Sequence, residues 1–510
     1  MNVPMLLEMV AEAGGDRVVV GSRSGGISAT GLLAAGRRAA KAFASTGAAN
    51  VVWLDYNSDA LPVALFGAAI AGLAFVPVNY RLADAALTAI LERATPGVVV
   101  AGTDMVARAS GIEGLSIVET DDLMAQVVGR AGGVDRVAGG ACGGAADESV
   151  WVDPEAVAVL LFTSGTTGEP KAAVLRHRHL ASYILSSVEF MAAEPGETQL
   201  VSVPPYHIAG VSSILSSLYA GRRIVYLPGF DPAAWAAAVE GEGVTQAMVV
   251  PTMLGRILDE VEASRRDISS LRHLSYGGGR MPLETIERAL ALLPDVNFVN
   301  AYGLTETSST VAVLGPDDHR DALASDDPAV RARLGSVGRP LPSIEVTIRD
   351  AMGAEVPTGE RGEVWVRGDQ VSGEYMGRSV LNDQGWFATR DAGWLDEGGF
   401  LFLDGRLDDV IVRGGENLSP GEIEGVLMEH PAVAEAAVVG VPDPEWGETV
   451  AAALVLKPGA STTAQEVQAW VRERLRSTKT PTIVAFRAEM PYNETGKLLR
   501  RVIRDELSGA

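Results

Sequence analysis

Residues 51–101 read VVWLDYNSDALPVALFGAAIAGLAFVPVNYRLADAALTAILERATPGVVVA, in which short apolar runs alternate with helical patterns. The apolar runs lie at 51–56, 73–78 and 98–101, and the helical patterns lie at 60–71 and 84–93. Strands separated by helices in this way predict a parallel sheet with both faces covered. Similar apolar runs recur at 223–227, 246–250, 272–276 and 296–300. We therefore expect the same architecture to continue along the chain.

The segment 60–78 is uncharged throughout and long enough to cross a bilayer. However, Pro62, Gly67, Gly72 and Pro77 interrupt it. A buried helix followed by a buried strand, with the break near Gly72, fits these residues better than a membrane span. The sequence therefore predicts no transmembrane segment.

The pattern changes after about residue 340. The segments IEVTIRD (344–350) and GEVWVRG (362–368) alternate apolar and polar residues, which is typical of antiparallel strands with one solvated face. A smaller unit follows Gly405. Its expected elements are strands at 434–441, 449–456 and 482–487, a helix at 463–476, and a first helix with a capping signature. In that signature Ser419 is the N-cap, Pro420 is the first helical residue, and Glu422 at the third position completes a capping box with Ser419.

The expected fold class is therefore α/β. A large N-terminal domain (residues 1–407) combines mixed, mainly parallel sheets packed with helices and a β-rich subdomain. A small α+β C-terminal domain (residues 408–510) follows, and the charged stretch GRLDD (405–409) marks the boundary. A chain of 510 residues is too long for one core and suits this division.

Charge and cysteine content exclude several classes of function. The net charge of −23 argues against nucleic-acid partners and against anionic membranes. The single cysteine, Cys142, excludes an intrachain disulfide and a thiolate zinc cluster, and we interpret it as part of a Gly/Ala-rich surface loop at 130–147. The N-terminus has no basic start and meets Glu8 early, unlike a secretory signal. We expect a cytoplasmic protein.

A loop with the character of a phosphate-binding site follows the apolar run VAVLLFTS (157–164). It reads GTTGEPK (165–171), and its glycines allow backbone N–H groups to approach an anion. Hydroxyl donors and a positive charge come from Thr163, Ser164, Thr166, Thr167 and Lys171. This set of residues favours a polyphosphate ligand. The alternative interpretation is a plain strand-to-turn connection that binds no ligand. The loop is not a Walker A motif, because Gly165 and Gly168 are wrongly spaced and Ala172 follows the lysine.

Six further motifs follow in order along the chain. They are PPYHIAG (204–210), YGGG (276–279), NAYGLTET (300–307), TRDAGWLDEGGFLFLDGRLDD (389–409), RGGENLSPGEIE (413–424) and NETGK (493–497). With these motifs the sequence resembles the adenylate-forming superfamily, which comprises acyl-CoA synthetases, stand-alone adenylation domains and luciferases. The resemblance covers nearly the whole chain and is to the acyl-CoA synthetase, or fatty-acid–CoA ligase, type.

The resemblance implies binding of ATP and Mg²⁺ by the large domain. Glu306 would be the magnesium ligand and Thr305 would contact phosphate, while the loop from Thr163 through Gly165 to Lys171 would hold the departing pyrophosphate. The remaining nucleotide contacts implied are Tyr302 with the backbone of Gly278 and Gly279 for adenine, Asp391 for the ribose hydroxyls, and Arg406 as a nearby donor.

The resemblance also implies a mobile C-terminal domain that serves two half-reactions. Lys497 would stabilise charge at the carboxylate and the α-phosphate in the first. Rotation about a hinge at Asp408 would then remove Lys497 and present Gly414 and Gly415, which leave room for the pantetheine arm of coenzyme A.

The acid itself is not specified by the sequence. The resemblance places His207 at the acyl pocket, where it would gate entry or orient the carboxylate; a purely structural histidine is the alternative. Small residues near it (Ser212, Ser213, Ser216, Ser217 and Gly277) favour a medium-chain, aromatic or ring-bearing acid. His177 and His179 have a metal-ligand spacing but no visible third ligand, and we interpret them as polar residues.

Two residues depart from the family pattern. Ala172 stands where glycine is usual, which matters only if the backbone there needs a positive φ. Arg390 replaces the glycine that commonly precedes the ribose-binding aspartate, and it could point to solvent, crowd Asp391 or partly neutralise it. At the hinge, Asp408 stands where many relatives have lysine.

The leading hypothesis is an ATP-dependent acid–CoA ligase that forms acyl-AMP and then acyl-CoA, with a small carboxylic acid as substrate. An adenylating enzyme that loads a separate carrier protein shares every motif. A non-catalytic nucleotide-binding relative is a third hypothesis, disfavoured by the presence of Glu306, Asp391, Arg406 and Lys497 together. Whether the chain forms a homodimer is left open.

Overall fold

A computed structural model of the chain describes residues 1–128, 151–163, 171–492 and 498–509. Several sequence predictions fall outside these residues and stay predictions. They concern Cys142 in its glycine-rich segment, the phosphate contacts of Ser164, Gly165, Thr166 and Thr167, and the catalytic role of Lys497.

The helices of the described residues occur throughout the chain. They are α1 (Val3–Gly14), α2 (Ala29–Ala44), α3 (Ala60–Ala71), α4 (Asp84–Arg93), α5 (Val106–Ala109), α6 (Thr120–Val127), α7 (His177–Ser187), α8 (Ile208–Tyr219), α9 (Pro232–Glu242), α10 (Pro251–Ser264), α11 (Leu283–Leu292), α12 (Pro316–Ala324), α13 (Pro328–Ala332), α14 (Pro420–Met428), α15 (Ala464–Arg474) and α16 (Arg500–Leu507). Short 3-10 helices lie at Thr305–Thr307, Arg333–Gly335, Leu407–Asp409 and Ser477–Lys479.

The strands of the described residues are numbered in the same way. They are β1 (Val18–Val20), β2 (Ile27–Ser28), β3 (Asn50–Leu54), β4 (Ala74–Pro77), β5 (Gly97–Ala101), β6 (Leu115–Glu119), β7 (Val157–Thr163), β8 (Lys171–Arg176), β9 (Thr198–Val201), β10 (Arg223–Tyr226), β11 (Gln246–Val249), β12 (His273–Gly277), β13 (Asn297–Leu304), β14 (Ser309–Leu314), β15 (Arg339–Pro340), β16 (Glu345–Arg349), β17 (Gly362–Arg367), β18 (Glu374–Tyr375), β19 (Arg378–Ser379), β20 (Phe387–Leu395), β21 (Leu401–Arg406), β22 (Ile411–Arg413), β23 (Glu416–Leu418), β24 (Val433–Asp443), β25 (Gly447–Leu456) and β26 (Ile483–Arg487).

Contacts within the chain divide it into two compact units. Unit 1 comprises Met1–Leu323, Leu341–Glu345 and Arg367–Phe387. Unit 2 comprises Ala324–Pro340, Val346–Val366 and Ala388–Ala510. The β-rich segments that precede residue 408 thus group with the C-terminal residues by contacts. The domain boundary predicted at residues 407 and 408 stays a prediction.

Unit 1 contains two sheets that are mainly parallel, as the sequence predicts. The first runs in the order β14-β13-β12-β11-β9-β10-β1-β2; neighbours from β13 to β1 are parallel, and β14 and β2 are antiparallel additions. The second runs β19-β18-β8-β7-β4-β3-β5-β6, with its parallel part from β7 to β6 and an antiparallel part from β7 to β19.

The uncharged segment 60–78 forms helix α3 and strand β4, so the prediction of a buried helix and strand is confirmed. Gly72 ends the helix in the left-handed conformation at φ 70°. Gly67 allows α3 to approach α2, because a Cβ atom there would lie 2.7 Å from Ala39 Cβ. None of the helices in the described ranges is both long and apolar enough to cross a bilayer.

Unit 2 contains two further sheets. One runs β16-β17-β20-β21, in which β20 and β21 are antiparallel. The other runs β23-β22-β25-β24, with β26 parallel to β25. Helices α14 and α15 bury Ile423, Leu427 and Val467 in a common apolar core with Val450 of β25. This is the α+β arrangement that the sequence predicts for the C-terminal part.

The predicted capping box at the start of α14 is not formed. Ser419 is the N-cap and Pro420 begins the helix, as predicted, but the serine makes no capping hydrogen bond. Its hydroxyl donates instead to the carbonyl of Asp404 at 3.1 Å. Glu422 accepts a hydrogen bond from Lys479 at 2.6 Å. Hydrogen bonds to residues distant in sequence thus replace the predicted local pair of Ser419 and Glu422.

Two histidines of α7 are buried and uncharged. His177 Nδ1 accepts a hydrogen bond from the amide of Val3 at 3.3 Å, and His179 Nδ1 accepts from the amide of Arg176 at 3.2 Å. Burial lowers the pKa of His177 to about 4 and that of His179 to about 3. Both rings therefore help to hold α7 in the core as neutral acceptors.

We expect these rings to make the free energy of unfolding depend on pH. In the unfolded chain a histidine binds a proton below about pH 6.5, which the buried neutral ring does not, so stability falls as pH falls from about 6.5 towards about 4. Each ring contributes a loss of about 1–2 kcal/mol between pH 7 and pH 5. Urea unfolding of the His177→Asn/His179→Asn variant should show a shallower loss. The control is His430→Asn in unit 2, and an unchanged pH slope in the double variant would contradict the expectation.

Candidate active site

The parallel strands of unit 1 gather several predicted site residues at one sheet edge. His207 follows β9 after a short connection, Gly278 follows β12, and Glu306 follows β13. Strands β9, β11, β12 and β13 run parallel as neighbours, so their carboxyl ends face the same side. Ligands of open α/β sheets bind outside such carboxyl ends. The topology therefore brings an acyl-pocket candidate, an adenine-slot candidate and a metal-ligand candidate to one edge.

The glycines after β12 leave an uncovered stretch of backbone. Gly278 has φ 80°, a conformation that side chains rarely adopt, and it is exposed together with Gly279. Tyr302 lies half-buried on the neighbouring strand β13, opposite Ala312. A flat ring could lie against this backbone, as the predicted adenine slot requires.

Glu306 is buried and held by neighbours from another part of the chain. It lies in the 3-10 helix directly after β13, beside the half-buried Thr305. Its carbonyl accepts hydrogen bonds from the amides of Ser372 at 2.8 Å and Gly373 at 3.2 Å. Its carboxylate accepts a hydrogen bond from the hydroxyl of Tyr375. These three hydrogen bonds fix both the backbone and the side chain of this residue.

Tyr375 connects Glu306 to the second sheet of unit 1. It lies in β18 opposite Ala173 of β8. The ammonium of Lys171, at the start of β8, lies 5.9 Å from the centroid of the Tyr375 ring. A carboxylate suited to a metal ion and a lysine suited to phosphate therefore lie on either side of one tyrosine.

Two antiparallel strands, β7 and β8, flank the phosphate-loop candidate. Strand β7 was predicted from its apolar run, whereas β8 was not. Thr163 pairs with Lys171, and the threonine hydroxyl donates to the lysine carbonyl at 3.2 Å. Ala172 lies buried in β8 outside the positive-φ region, so alanine in place of glycine causes no backbone strain.

The residues around Glu306 fit a magnesium ion shared with a nucleotide. The described residues contain no cluster of three or more acidic, histidine or cysteine side chains that could hold a metal by themselves. A single carboxylate fits Mg²⁺, which usually keeps several waters and takes phosphate oxygens as further ligands. The residues around Glu306 therefore fit a magnesium ion that binds together with the nucleotide phosphates.

His207 is half-buried, and its neutral ring has a buried nitrogen without a partner among the described residues. It is the N-cap residue of α8, and its ring packs 4.7 Å from that of Tyr206 between centroids. Burial lowers its pKa to about 4. Its Nε2 atom has no hydrogen-bond partner within the described residues. A buried polar atom of this kind requires an explanation, and a bound substrate group is one.

The serines of α8 pack close to the strand that follows Glu306. Ser212, Ser213 and Ser217 are buried. The hydroxyl of Ser309, in β14, donates to Ser212 Oγ at 3.2 Å. Small side chains thus line the helix that begins at His207.

Unit 2 pairs the two predicted ribose residues with each other. Asp391 in β20 lies opposite Arg406 in β21, and Arg406 Nη1 lies 2.9 Å from Asp391 Oδ1. The same guanidinium nitrogen donates to the carbonyl of Thr389 at 3.0 Å. The carboxylate is therefore oriented before any ligand binds.

Gly414 and Gly415 form the two-residue turn of the β22–β23 hairpin. Their φ angles are 57° and 83°, and Arg413 pairs with Glu416 on either side. A Cβ atom on Gly414 would lie 2.8 Å from the Trp446 ring. The hairpin by itself thus requires glycine or asparagine here, and their predicted contact with pantetheine stays a prediction.

Arg390 neither crowds nor neutralises Asp391, two of the effects considered for this substitution. Its guanidinium forms an ion pair with Asp408 at 2.5 Å. Its φ angle is 64°, so arginine occupies a backbone position that favours glycine.

Sequence reasoning missed Tyr375 and Ser372, although both hold Glu306. Their segment, VSGEYMG (371–377), lies far from Glu306 in sequence. A lone tyrosine and serine carry no chemical signature, and only the pairing of β18 with β8 places them at the site.

Two family models match the chain. The model described as AMP-binding enzyme matches residues 7–376, and the model described as AMP-binding enzyme C-terminal domain matches residues 422–497. The chain therefore belongs to the AMP-binding enzyme family, the adenylate-forming superfamily that its motifs resemble.

Individual relatives include two kinds of acid ligase. A feruloyl-CoA synthase from an Amycolatopsis species is 34% identical over 484 residues, which is 93% of this chain and 91% of the relative. A fatty acid–[acyl-carrier-protein] ligase from Streptomyces coeruleorubidus is 36% identical over 370 residues, covering 70% and 69%. The structure of O-succinylbenzoate coenzyme A synthetase from Bacillus subtilis with ATP and magnesium matches with a TM-score of 0.80 at 28% identity, covering 97% and 98%.

The protein is accordingly an AMP-forming acid–thiol ligase of the acyl-CoA synthetase type, which acts on a small carboxylic acid with ATP, Mg²⁺ and coenzyme A.

Removal of the Tyr375 hydroxyl should weaken the response to magnesium. The Tyr375→Phe variant leaves the Glu306 carboxylate unoriented, and loss of such a supporting hydrogen bond typically costs about tenfold in metal affinity or activity. Pyrophosphate release measured against MgCl₂ concentration should shift its midpoint upwards by about that factor. Tyr183→Phe, which also removes a hydroxyl from unit 1, is the control. A lower rate with an unchanged magnesium midpoint would contradict a role for Tyr375 in orienting Glu306.

Proposed function

We propose that the chain converts a medium-chain, aromatic or ring-bearing acid into its CoA thioester through an acyl-adenylate. In the first step a carboxylate oxygen attacks the α-phosphorus of ATP, and the bond to the bridging oxygen of pyrophosphate breaks. In the second step a thiolate attacks the acyl carbonyl carbon, and AMP leaves. Both steps join or separate anions, so positioning and charge neutralisation dominate catalysis.

The observation that carries this proposal is the arrangement of Glu306, Tyr375 and Lys171. The carboxylate is fixed by the Tyr375 hydroxyl, and the Lys171 ammonium lies near the face of the same ring. Magnesium bound by Glu306 would neutralise phosphate charge. Lys171, with Thr163 and the loop up to Thr167, would hold the β- and γ-phosphates, and Thr305 would contact a phosphate oxygen.

We propose the remaining nucleotide contacts from the predicted site residues of both units. Exposed backbone at Gly278 and Gly279 with Tyr302 would hold adenine. Asp391, oriented by Arg406 at 2.9 Å, would accept hydrogen bonds from the ribose hydroxyls. His207, neutral because burial lowers its pKa to about 4, would face the substrate with its unused Nε2 atom.

The C-terminal domain would serve the two steps in turn. Lys497 would stabilise charge during adenylation, and rotation about Asp408 would replace it with the turn at Gly414 and Gly415 for the thiol. Asp408 lies in the 3-10 helix Leu407–Asp409, a short element that joins β21 to the C-terminal strands. Such short connections can absorb the backbone change of a domain rotation.

A carrier-protein thiol is the alternative to coenzyme A as acceptor. The relative named as a fatty acid–[acyl-carrier-protein] ligase supports the alternative, whereas the feruloyl-CoA synthase, which matches more of the chain, supports coenzyme A. We also propose a cytoplasmic location and assembly as a homodimer.

An acid panel tests the proposed function. Pyrophosphate release should be stimulated by at least one of octanoate, benzoate, 4-hydroxycinnamate or cyclohexane carboxylate. Addition of coenzyme A should then consume the acyl-adenylate and yield a thioester that mass spectrometry detects. Release without thioester in the presence of coenzyme A, but with acylation of an added carrier protein, would assign the acceptor to the carrier. No release with any acid would contradict ligase activity on this range of acids.

The Lys497→Ala variant should separate the two half-reactions. Adenylation should fall by about 10²–10³-fold, because a charge that stabilises the transition state is lost. Conversion of supplied acyl-AMP to thioester should stay within about threefold of the parent, since Lys497 is absent from the second step in the alternating mechanism. Lys457→Ala, another lysine of unit 2, is the control. Equal loss of both half-reactions in a folded Lys497→Ala variant would contradict the alternation of domains.

A further inference from the structure

Arg390 adopts a backbone conformation that arginine ordinarily avoids. Its φ angle is 64°, within strand β20, where its neighbours on either side continue the strand. A side chain with a Cβ atom is disfavoured in this region, and glycine adopts it freely. The backbone is nevertheless held in place, because the Arg390 amide donates to Glu363 Oε1 at 3.2 Å. A residue kept at such a position calls for a compensating contact.

The compensating contact is an ion pair with Asp408. Arg390 Nη2 lies 2.5 Å from Asp408 Oδ1, and the hydrogen bond that the guanidinium donates to this carboxylate raises the pKa of Arg390. Asp408 occupies the middle of the 3-10 helix Leu407–Asp409, directly after β21. The two side chains are 56% and 34% exposed. The pair therefore joins β20 to the connection proposed as the hinge, in a place that salt can reach.

Asp391 belongs to a separate ion pair. Arg390 is exposed and Asp391 is buried, so their side chains have different surroundings. Asp391 is buried and paired with Arg406 at 2.9 Å, whereas Arg390 is paired with Asp408. Substitution of Arg390 can therefore alter the 3-10 helix without removing the partner of the ribose carboxylate.

The next residue of the 3-10 helix is held from another direction. Asp409 Oδ2 lies 3.4 Å from Arg500 Nε, at the first residue of α16. The Arg500 guanidinium also donates to Glu424 of α14 at 2.5 Å and 2.9 Å and to the carbonyl of Val438 at 2.7 Å. The neighbouring carboxylates of Asp408 and Asp409 thus pair with arginines from two different elements. Arg390 lies in β20 and Arg500 lies in α16.

We propose that Arg390 is a positioning residue that latches the hinge. Its ion pair with Asp408 stabilises the backbone conformation of Leu407–Asp409 seen here and disfavours the rotated one. This inference rests on the proposed alternation of domains about Asp408. A partly exposed pair contributes little to overall stability, but the same contribution shifts a balanced two-state equilibrium by about two- to fivefold. Arg390 thereby sets the partition between adenylation and thioester formation.

The test compares the two half-reactions in the Arg390→Gly variant. Adenylation is followed by pyrophosphate release without coenzyme A, and the second step by thioester formation from supplied acyl-AMP. The ratio of the two rates should change by about two- to fivefold, and Asp408→Asn should change it in the same direction. The double variant should add nothing further, because both substitutions remove one interaction. The charge-swapped Arg390→Asp/Asp408→Arg variant should move the ratio back towards that of the parent.

The salt dependence of the rate ratio is a second measurement. A purely structural role of Arg390 would leave this salt dependence unchanged. In the parent the ratio should drift towards that of Arg390→Gly as NaCl rises from about 0.05 M to about 0.5 M, whereas the variant should be insensitive. Arg361→Gly is the matched control, since Arg361 pairs with Asp404 at 2.7 Å in the same unit.

Specific outcomes would overturn the latch. One is an unchanged ratio in Arg390→Gly; another is a change confined to the KM for ATP, which would assign Arg390 to the ribose site. Additive effects in the double variant would also overturn it. If the parent itself catalyses neither half-reaction with any acid, the proposed function fails instead, so the two failures are distinguishable.

Discussion

The carboxylate of Glu306 is held where the two sheets of unit 1 approach each other, and the arrangement of the site depends on that contact. Glu306 comes from the end of β13, while its hydrogen-bond donors Ser372, Gly373 and Tyr375 come from the segment that pairs with β8. A buried carboxylate without donors would be costly, so the two sheets are constrained to meet here. The same constraint brings Lys171 near the tyrosine ring and sets the spacing between Glu306 and Lys171.

Three histidines of unit 1, His177, His179 and His207, differ in their position relative to the sheet edge. His177 and His179 each accept a backbone hydrogen bond through Nδ1, and their rings stay neutral because burial lowers their pKa. His207 is half-buried, and it is the N-cap of a helix at the carboxyl edge of the sheet. Among the described residues, the Nε2 atoms of all three histidines lack a hydrogen-bond partner. Only the position of His207 at the sheet edge gives its free nitrogen a functional explanation.

In unit 2, ion pairs with arginine fix the side chains of three aspartates. Arg406 orients Asp391, Arg390 holds Asp408, and Arg500 holds Asp409. Partly exposed pairs add little to stability, yet they fix the backbone at the points where they attach. The Leu407–Asp409 helix is such a point, because Arg390 attaches to it through Asp408.

The sequence by itself determined the alternation of strands and helices, the buried helix at 60–71 with its break at Gly72, and the family, because these depend on local periodicity and on contiguous motifs. It also placed Glu306, Asp391 and Arg406 as candidates. Only the tertiary structure decided which side chains support them. Tyr375 lies 69 positions from Glu306, the Ser419 hydroxyl bonds to Asp404 instead of capping its own helix, and Arg390 turns to Asp408 instead of Asp391. Such partners are chosen by strand pairing and by the need to satisfy buried or paired charges, which no local pattern records.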